Sequence, residues 1–363
     1  MRRIYSSLCK SRLPSYLNEF TSQIAKSGLR DYKSVAAFEC ALSEGLNKPF
    51  LINELTRRAW IDTNKELIEA WDNASLEVDP EFANCAMNDL QSRLDYEEED
   101  TKEISHVFKG VIGECLTSLK KNGVYIFKKR LPVRIINGMK NDFTKSKLAS
   151  ESKGQARGEH IRNRADCLHD IDISSLRNFY DSREIASSSN LLNVAFQYGL
   201  HRIASQYFNN RPYLLSADGW LSVGKAKAGH SEFSNSAQEF HFDFDALKFL
   251  KVFIYLSDVS VHSGAHQMFM SSVGRFPLDK PSLAKMPTYF RANKQSLQNL
   301  YGPDDMLTLE GLEGTVIIED TSCFHRGCPM AEGQFRDMVV LQFKDCNLGD
   351  LLPQPNSRPV LFL

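Results

Sequence analysis

The chain has 363 residues, with 44 Lys and Arg against 45 Asp and Glu, for a formal net charge of −1. So even a balance lacks the basic footprint of a dedicated nucleic-acid binder, and no run of about 18 apolar residues offers a membrane-spanning helix. The eight cysteines (Cys9, Cys40, Cys85, Cys115, Cys167, Cys323, Cys328 and Cys346) are scattered without a C-x-x-C pair. They predict neither a disulfide framework nor a zinc ribbon, and they fit a reducing compartment. Met1 to Leu17 carries Arg2, Arg3, Lys10, Arg12 and several serines with no acid. Transit peptides have that pattern, as do the first turns of many helices, and the apolar stretch of a secretory signal is missing. The expected location is the cytoplasm, with an organelle as the alternative.

Residues 14–94 read as helix, because Phe38, Leu42 and Leu46, then Leu51 and Leu55, then Leu67, Ile68 and Trp71 recur at three- and four-residue spacing. The acidic run Tyr96-Glu97-Glu98-Glu99-Asp100 is either a solvated linker or an acidic helix end. It suggests two parts, a helical region over 1–104 and a second unit over 105–363. A helix over Val107–Leu119 stops at Lys120-Lys121-Asn122-Gly123. Val124–Phe127 follows as a short strand, then a helix from Val133 through Lys140. Residues 144–170 are polar and read as loop, and 190–208 returns to helical spacing.

Beyond residue 213 strands and turns dominate. Leu247–Leu256 is the strongest strand, joined by Gln267–Met270, Thr315–Ile318 and Met338–Phe343, with Gly264, Gly311, Gly314, Gly327 and Gly333 as punctuation. Short strands with turn signals predict an antiparallel barrel or sandwich. Gly274–Glu310 interrupts them as a long polar, partly helical segment of the kind that forms lids. Lys248 and Lys251 lie in the strongest strand and point to opposite faces. An edge strand with both lysines in water is the simpler expectation, and one inward lysine seeking a carboxylate is the other.

His241-Phe242-Asp243 precedes that strand. Residues i and i+2 of a strand share a face, so an imidazole and a carboxylate can meet at one point. His325, after the Thr315–Ile318 strand, is the best third donor. Two imidazoles and one carboxylate on one face leave three positions of an octahedral ion open, the facial triad of non-haem Fe(II) oxygenases. His-x-Asp alone is a weak signal, and a rival stands at His230-Ser231-Glu232. The order of the elements strengthens the reading. A Gly turn follows at His262-Ser263-Gly264-Ala265, and Arg336 comes eleven residues after His325 at the head of the last strand. There its fork suits a carboxylate.

HFDFDALKFLKVFIYLSDVSVHSGAHQMFMSSVGRF (241–276), GTVIIEDTSCFHRGCPMAEGQFRDMVVLQF (314–343) and LKKNGVYIFKKRL (119–131) resemble the phytanoyl-CoA dioxygenase-like family of Fe(II)/2-oxoglutarate oxygenases. The resemblance spans about 105–345. It implies a β-rich double-stranded β-helix (a jelly-roll, cupin-like barrel) with flanking helices and a helical N-terminal extension. It makes His241, Asp243 and His325 the metal ligands and catalytic centre, with Arg336 gripping the distal carboxylate of 2-oxoglutarate. Fe(II), 2-oxoglutarate and O2 are the implied cofactors. The implied reaction is C–H oxidation of a small molecule, foremost hydroxylation, with succinate as coproduct. Two positions depart from the family. Ser271-Ser272-Val273 replaces a Gly-Ser-His, and Gly327 stands where a hydroxyl residue two beyond the distal His is common, with Thr321 or Ser322 as a compensating contact. Asp243 is a true carboxylate, which argues against a halogenase.

Arg157, His160, Arg162, Arg164 and His169 make the 144–170 loop cationic, either to meet a polar or anionic substrate or as ordinary surface charge. Trp220 either lines the substrate mouth or packs the barrel, and packing fits the habits of Trp better. Cys323 and Cys328, flanking His325, read as small core residues. Two other classes stay open: an inactive barrel that binds partners, and a Zn-dependent hydrolase.

Overall fold

The computed structural model describes residues 59–68, 98–144, 148–150, 176–209, 212–225, 237–241, 243, 249–272, 292–321 and 323–345. Helices α1 (59–68), α2 (Glu98–Phe108), α3 (Ile112–Asn122), α4 (Val133–Thr144), α5 (Ser182–Ser187), α6 (Ser189–Ala195), α7 (Tyr198–Phe208) and α8 (Lys294–Tyr301) accompany ten strands. The strands are β1 (Val124–Ile126), β2 (Ala149–Ser150), β3 (Arg177–Phe179), β4 (Pro212–Val223), β5 (Phe249–Tyr255), β6 (His266–Phe269), β7 (Met306–Leu309), β8 (Val316–Glu319), β9 (His325–Gly327) and β10 (Phe335–Asp345). Among the described residues no helix is long and apolar enough to cross a membrane.

Local chemistry explains several boundaries. Gly123 ends α3 at φ 74°, its N–H donating to Leu119 O at 2.9 Å, the left-handed cap that the Lys-Lys-Asn-Gly stop predicts. Gly110, at φ 83°, divides the single helix expected over Val107–Leu119 into α2 and α3. Glu99 and Asp100 lie in the first turn of α2, where negative charge suits the helix dipole.

All pairings are antiparallel. One sheet runs β1-β8-β5-β10-β4-β3-β2 and the other β7-β6-β9, extended by a His241–His325 bridge. The chain steps between sheets: β4 in the first, the 240–241 segment beside β9, β5 in the first, β6 and β7 in the second, then β8, β9 and β10 in alternation. That winding is the double-stranded β-helix. β7 lies within the stretch expected to be a polar interruption, and Asn293 caps α8 there through its side chain.

The central strands β5 and β10 of the large sheet are buried on both faces. Leu250, Val252 and Ile254 of β5, with Val339, Leu341 and Phe343 of β10, pack toward the helices. Phe253, Tyr255, Ile317, Met338 and Val340 point between the sheets, where they meet Ala265, Met268 and Leu309. Burial on two faces is why LKFLKVFIYL reads as a near-continuous apolar run. The helix-side core also takes in Trp60, Ile104 and Phe108. Trp60 is fully buried, stacks on Phe196 at 6.2 Å and donates Nε1–H to Leu214 O at 3.3 Å. Asn64, one turn on, donates to Ala186 O at 2.8 Å. Helix α1 is thus bonded into the sheet-covering layer. Trp60→Ala should cost about 3–5 kcal/mol of unfolding free energy in urea denaturation, the range for deleting a large buried side chain.

Candidate metal centre

The centre begins with a backbone pairing. His241 N–H donates to His325 O at 2.9 Å, and His325 N–H returns the bond to His241 O at 2.9 Å. Two residues that exchange both bonds stand directly opposite with side chains on one face, and their rings lie 4.4 Å apart. Asp243 is two residues on, its N–H donating to Thr321 O at 3.3 Å. Its carboxylate meets both rings. His241 Nε2 is 3.8 Å from Oδ1, and His325 Nε2 is 3.3 Å from Oδ2. One donor atom from each of the three residues lies within 4.8 Å of the others.

The opposite edge of each ring is fixed. His241 Nδ1 is 2.8 Å from Glu239 O, and His325 Nδ1 is 3.0 Å from Cys323 O. A carbonyl only accepts, so each Nδ1 carries a proton and donates. Both Nε2 atoms are thereby left as the acceptor edges, which could hold a metal ion.

Lys251 enters the same space. Its Nζ is 2.7 Å from Asp243 Oδ2. The expectation of an edge strand with lysines in water is overturned for Lys251, because β5 lies between β8 and β10 and has no free edge. Lys248 falls outside the described residues. Burial alone would raise the Asp243 carboxyl, but the ammonium of Lys251 and then His325 hold it well below the usual range. Burial pushes His325 down, yet the charge and hydrogen bond of Asp243 outweigh it and leave the imidazole above its ordinary value.

Arg336 opens β10 and is buried. One guanidinium nitrogen, Nη1, donates to Gly264 O, and Nε has no hydrogen-bond partner. Among the described residues it pairs with no carboxylate. A Cβ on Gly327 would lie 3.2 Å from Arg336 Nη2. A side chain at 327 would press on the guanidinium. Gly327 follows His325 by two residues, a rise of about 7 Å along one strand face. The arginine therefore sits one step along the barrel from the triad.

A second polar group lies deeper. His266 Nε2 is 3.1 Å from Glu319 Oε1 and 3.0 Å from Oε2. The His266 ring stacks on His325 at 5.1 Å, and the Cys323 thiol donates to Glu319 Oε1 at 3.4 Å. Burial holds the His266 imidazole below its ordinary value despite Glu319. Sequence reasoning assigned no role to either residue. The available signal was an acid ending the apolar strand Val-Ile-Ile-Glu.

The remaining candidates divide. Thr321 is buried with Oγ1 unpartnered, and it is its carbonyl that touches the site. Trp220 is half-buried against the inter-sheet core, 5.9 Å from Phe179, and its indole N–H has no partner. Arg177, on the strand that pairs β4, places its guanidinium over the Trp220 ring at 5.5 Å. Cys323 belongs to the inter-sheet core and Cys328 is buried, as expected. Arg157, His160, Arg162, Arg164, His169 and the rival His230-Ser231-Glu232 lie outside the described residues.

No protein-family model matches the chain, and no curated protein matches it. Among solved structures it is similar to the non-heme alpha ketoglutarate dependent epimerase SnoN from nogalamycin biosynthesis, with a TM-score of 0.48 and 12% identity over 69% of this chain and 93% of that one. It is also similar to EctD from S. alaskensis with 2-oxoglutarate and 5-hydroxyectoine (TM-score 0.42, 13% identity, 67% and 80% covered). A third is HygX from Streptomyces hygroscopicus with nickel, 2-oxoglutarate and hygromycin B bound (TM-score 0.43, 14% identity, 64% and 87% covered).

In protein stripped of divalent ions, His325 and His266 should titrate on opposite sides of about 6.5, the ordinary imidazole value, when followed by nitrogen-15 NMR. The raised pKa of His325 stabilises the fold below about 6.5, and that contribution fades as pH rises through the folded value. The depressed pKa of Asp243 stabilises it above about 3.9, and that contribution fades as pH falls through the folded value. Asp243→Asn should lower the His325 titration, because it removes the charge and hydrogen bond that most oppose burial there.

Proposed function

We propose that the chain is an Fe(II)- and 2-oxoglutarate-dependent oxygenase of the phytanoyl-CoA dioxygenase-like kind, which hydroxylates an unactivated C–H of a small molecule. The observation that carries the reading is the convergence of His241 Nε2, His325 Nε2 and the Asp243 carboxylate, one strand step from a buried arginine that lacks an anion. Two imidazoles and one carboxylate without a thiolate suit Fe(II) and leave coordination positions open. The unpartnered Nε of Arg336 suits a ligand carboxylate, because a buried guanidinium left unpaired is costly. Bound at this centre, the ion with 2-oxoglutarate and dioxygen would supply the oxidising equivalent, with succinate and carbon dioxide as coproducts.

The chain's own residues do the rest. His241 and His325 hold their Nε2 lone pairs inward through the bonds to Glu239 O and Cys323 O. Asp243 contributes the charge, and Lys251 steadies one of its oxygens. Arg336 fixes the far carboxylate of the cosubstrate and thereby its direction along the barrel. Phe253, Met268 and Met338 exclude water from the space between the sheets. We assign this activity to residues 105–363. The loop rich in Arg157, His160 and Arg162 is the part we assign to a polar or anionic substrate. The Zn-dependent hydrolase and the inactive barrel draw on no observation that the oxygenase leaves unexplained.

Anaerobic Fe(II) added with 2-oxoglutarate should give a visible metal-to-ligand charge-transfer band. Its absence from folded wild-type protein would sink the proposal, and His241→Ala or Asp243→Ala should remove it while the thermal melt is retained. Arg336→Gln should weaken 2-oxoglutarate binding by roughly 10- to 150-fold, the worth of about 1.5–3 kcal/mol for a charged hydrogen bond. Fe(II) binding should be spared. Succinate release, assayed across a metabolite panel with Asp243→Ala as control, would identify the substrate.

A further inference from the structure

The barrel encloses two carboxylates near His325, and their surroundings differ. Asp243 has a fixed cation at 2.7 Å in Lys251. Glu319 is fully buried, and among the described residues its partners are the His266 imidazole and the Cys323 thiol. Neither is a fixed cation. Among the described residues no Lys or Arg pairs with Glu319, although Lys251 stands directly opposite it in the β5–β8 register. That lysine is turned to Asp243 instead. A carboxylate so deep in a low-dielectric interior calls for a compensating positive charge.

Three donors are arranged to hold one. His266, Glu319 and His325 are all buried, and one ligand atom from each lies within 4.8 Å of the others. His266 reaches Glu319 through Nε2 at 3.0–3.1 Å, a spacing that two donors bound side by side to one ion also adopt. The local backbone fixes both imidazoles. His266 and Met268 share the inward face of β6, and Met268 is the register partner of His325 on β9. This set is not the His241/Asp243/His325 triad, and it draws its carboxylate from the other sheet.

We infer that His266, Glu319 and His325 form a second seat for a divalent cation, which shares His325 with the first seat and so competes with it. The competition follows from the ring chemistry. His325 Nδ1 carries the proton donated to Cys323 O, so Nε2 is its one lone pair. One lone pair binds one cation. The chain therefore holds one ion in either of two places: between His241 and Asp243, with His325, or deeper, with His266 and Glu319. Two imidazoles and one glutamate are a donor set that zinc favours. A deeper ion would leave Asp243 on Lys251 and take His325 from the triad, so zinc at this seat would switch off chemistry that needs the first. The seat itself stands on its own donors, and only the inhibitory consequence rests on the oxygenase reading.

Anaerobic calorimetric titration with Co(II), followed by visible absorption, tests the inference. Wild type should bind one Co(II) per chain, because the seats share an imidazole. Asp243→Ala removes the first seat and should still bind one. Asp243→Ala with Glu319→Gln should lose that binding by more than ~100-fold, beyond the 10- to 100-fold that an outer partner of a ligand is worth. Asp243→Ala with His266→Gln should behave alike, which guards against a fault peculiar to the glutamine at 319. Circular dichroism melts confirm that each variant is folded before it is counted. Two ions on wild type would overturn the sharing of His325. Folded Asp243→Ala protein that binds no Co(II), or binds it equally well with Glu319→Gln, would overturn the seat. The charge-transfer band is recorded on Glu319→Gln as well as on wild type: its absence from both counts against the oxygenase reading alone, and the Co(II) stoichiometry counts for or against the seat alone, so the two ideas fail separately.

Discussion

The reciprocal backbone pair between His241 and His325 is the constraint on which the centre depends. These residues are far apart in sequence, yet two 2.9 Å bonds bring their Cα atoms opposite one another. Each imidazole is then tied by Nδ1–H to a carbonyl two residues earlier in its own segment. Neither bond asks anything of a neighbouring side chain. The sheet places the rings, the local backbone sets their tautomer, and Asp243 follows from strand alternation. A centre built this way is preorganised by the same hydrogen bonds that close the barrel, so loss of the smaller sheet and loss of the site are one event.

Charge in the barrel explains the positions of its other ionic residues. Asp243 and Lys251 neutralise one another, and Arg336 and Glu319 are left without such a partner among the described residues. An anionic ligand at Arg336 and a cation close to Glu319 would restore balance at both ends. The interior is thus incomplete as a purely structural core, because each unpaired group costs free energy that its removal would spare. The unpartnered Arg336 Nε and Thr321 Oγ1 mark the same region. Buried groups without partners are uncommon in native folds, and for the two beside the triad a bound ligand would be the natural partner.

Much of this was legible in the sequence, for identifiable reasons. The glycine stop at 123 and the apolar run of β5 express local rules, and both fall where expected. His-x-Asp announces its shared face through the two-residue period. Strand β7 was hidden because its neighbours are polar and its inward face is short. Lys251 was misjudged because strand order is not local: whether a strand lies at an edge depends on β8 and β10, which come later in the chain. Glu319 and His266 were passed over for the same reason. Each is unremarkable alone, and only the packing of the two sheets brings them to His325.

How a fold tolerates so polar an interior follows from where its stability lies. The large sheet is covered on its outer face by α1, α3, α4 and α7, and the apolar cluster there draws on nearly every described helix. The cluster between the sheets is smaller and shares its space with the ionic residues. Burial of apolar surface contributes about 25 cal/mol per Å² wherever it occurs, so the helix-covered face can hold the sheet together while the enclosed face accepts groups that weaken it. The two roles are divided by the alternation of a single strand. In β5, Leu250, Val252 and Ile254 serve the core, while Lys251, Phe253 and Tyr255 face the chemistry. In β10 the same alternation sets Val339, Leu341 and Phe343 against Arg336. Substitution on the enclosed face can therefore alter what the barrel binds without dismantling the layer that keeps it folded.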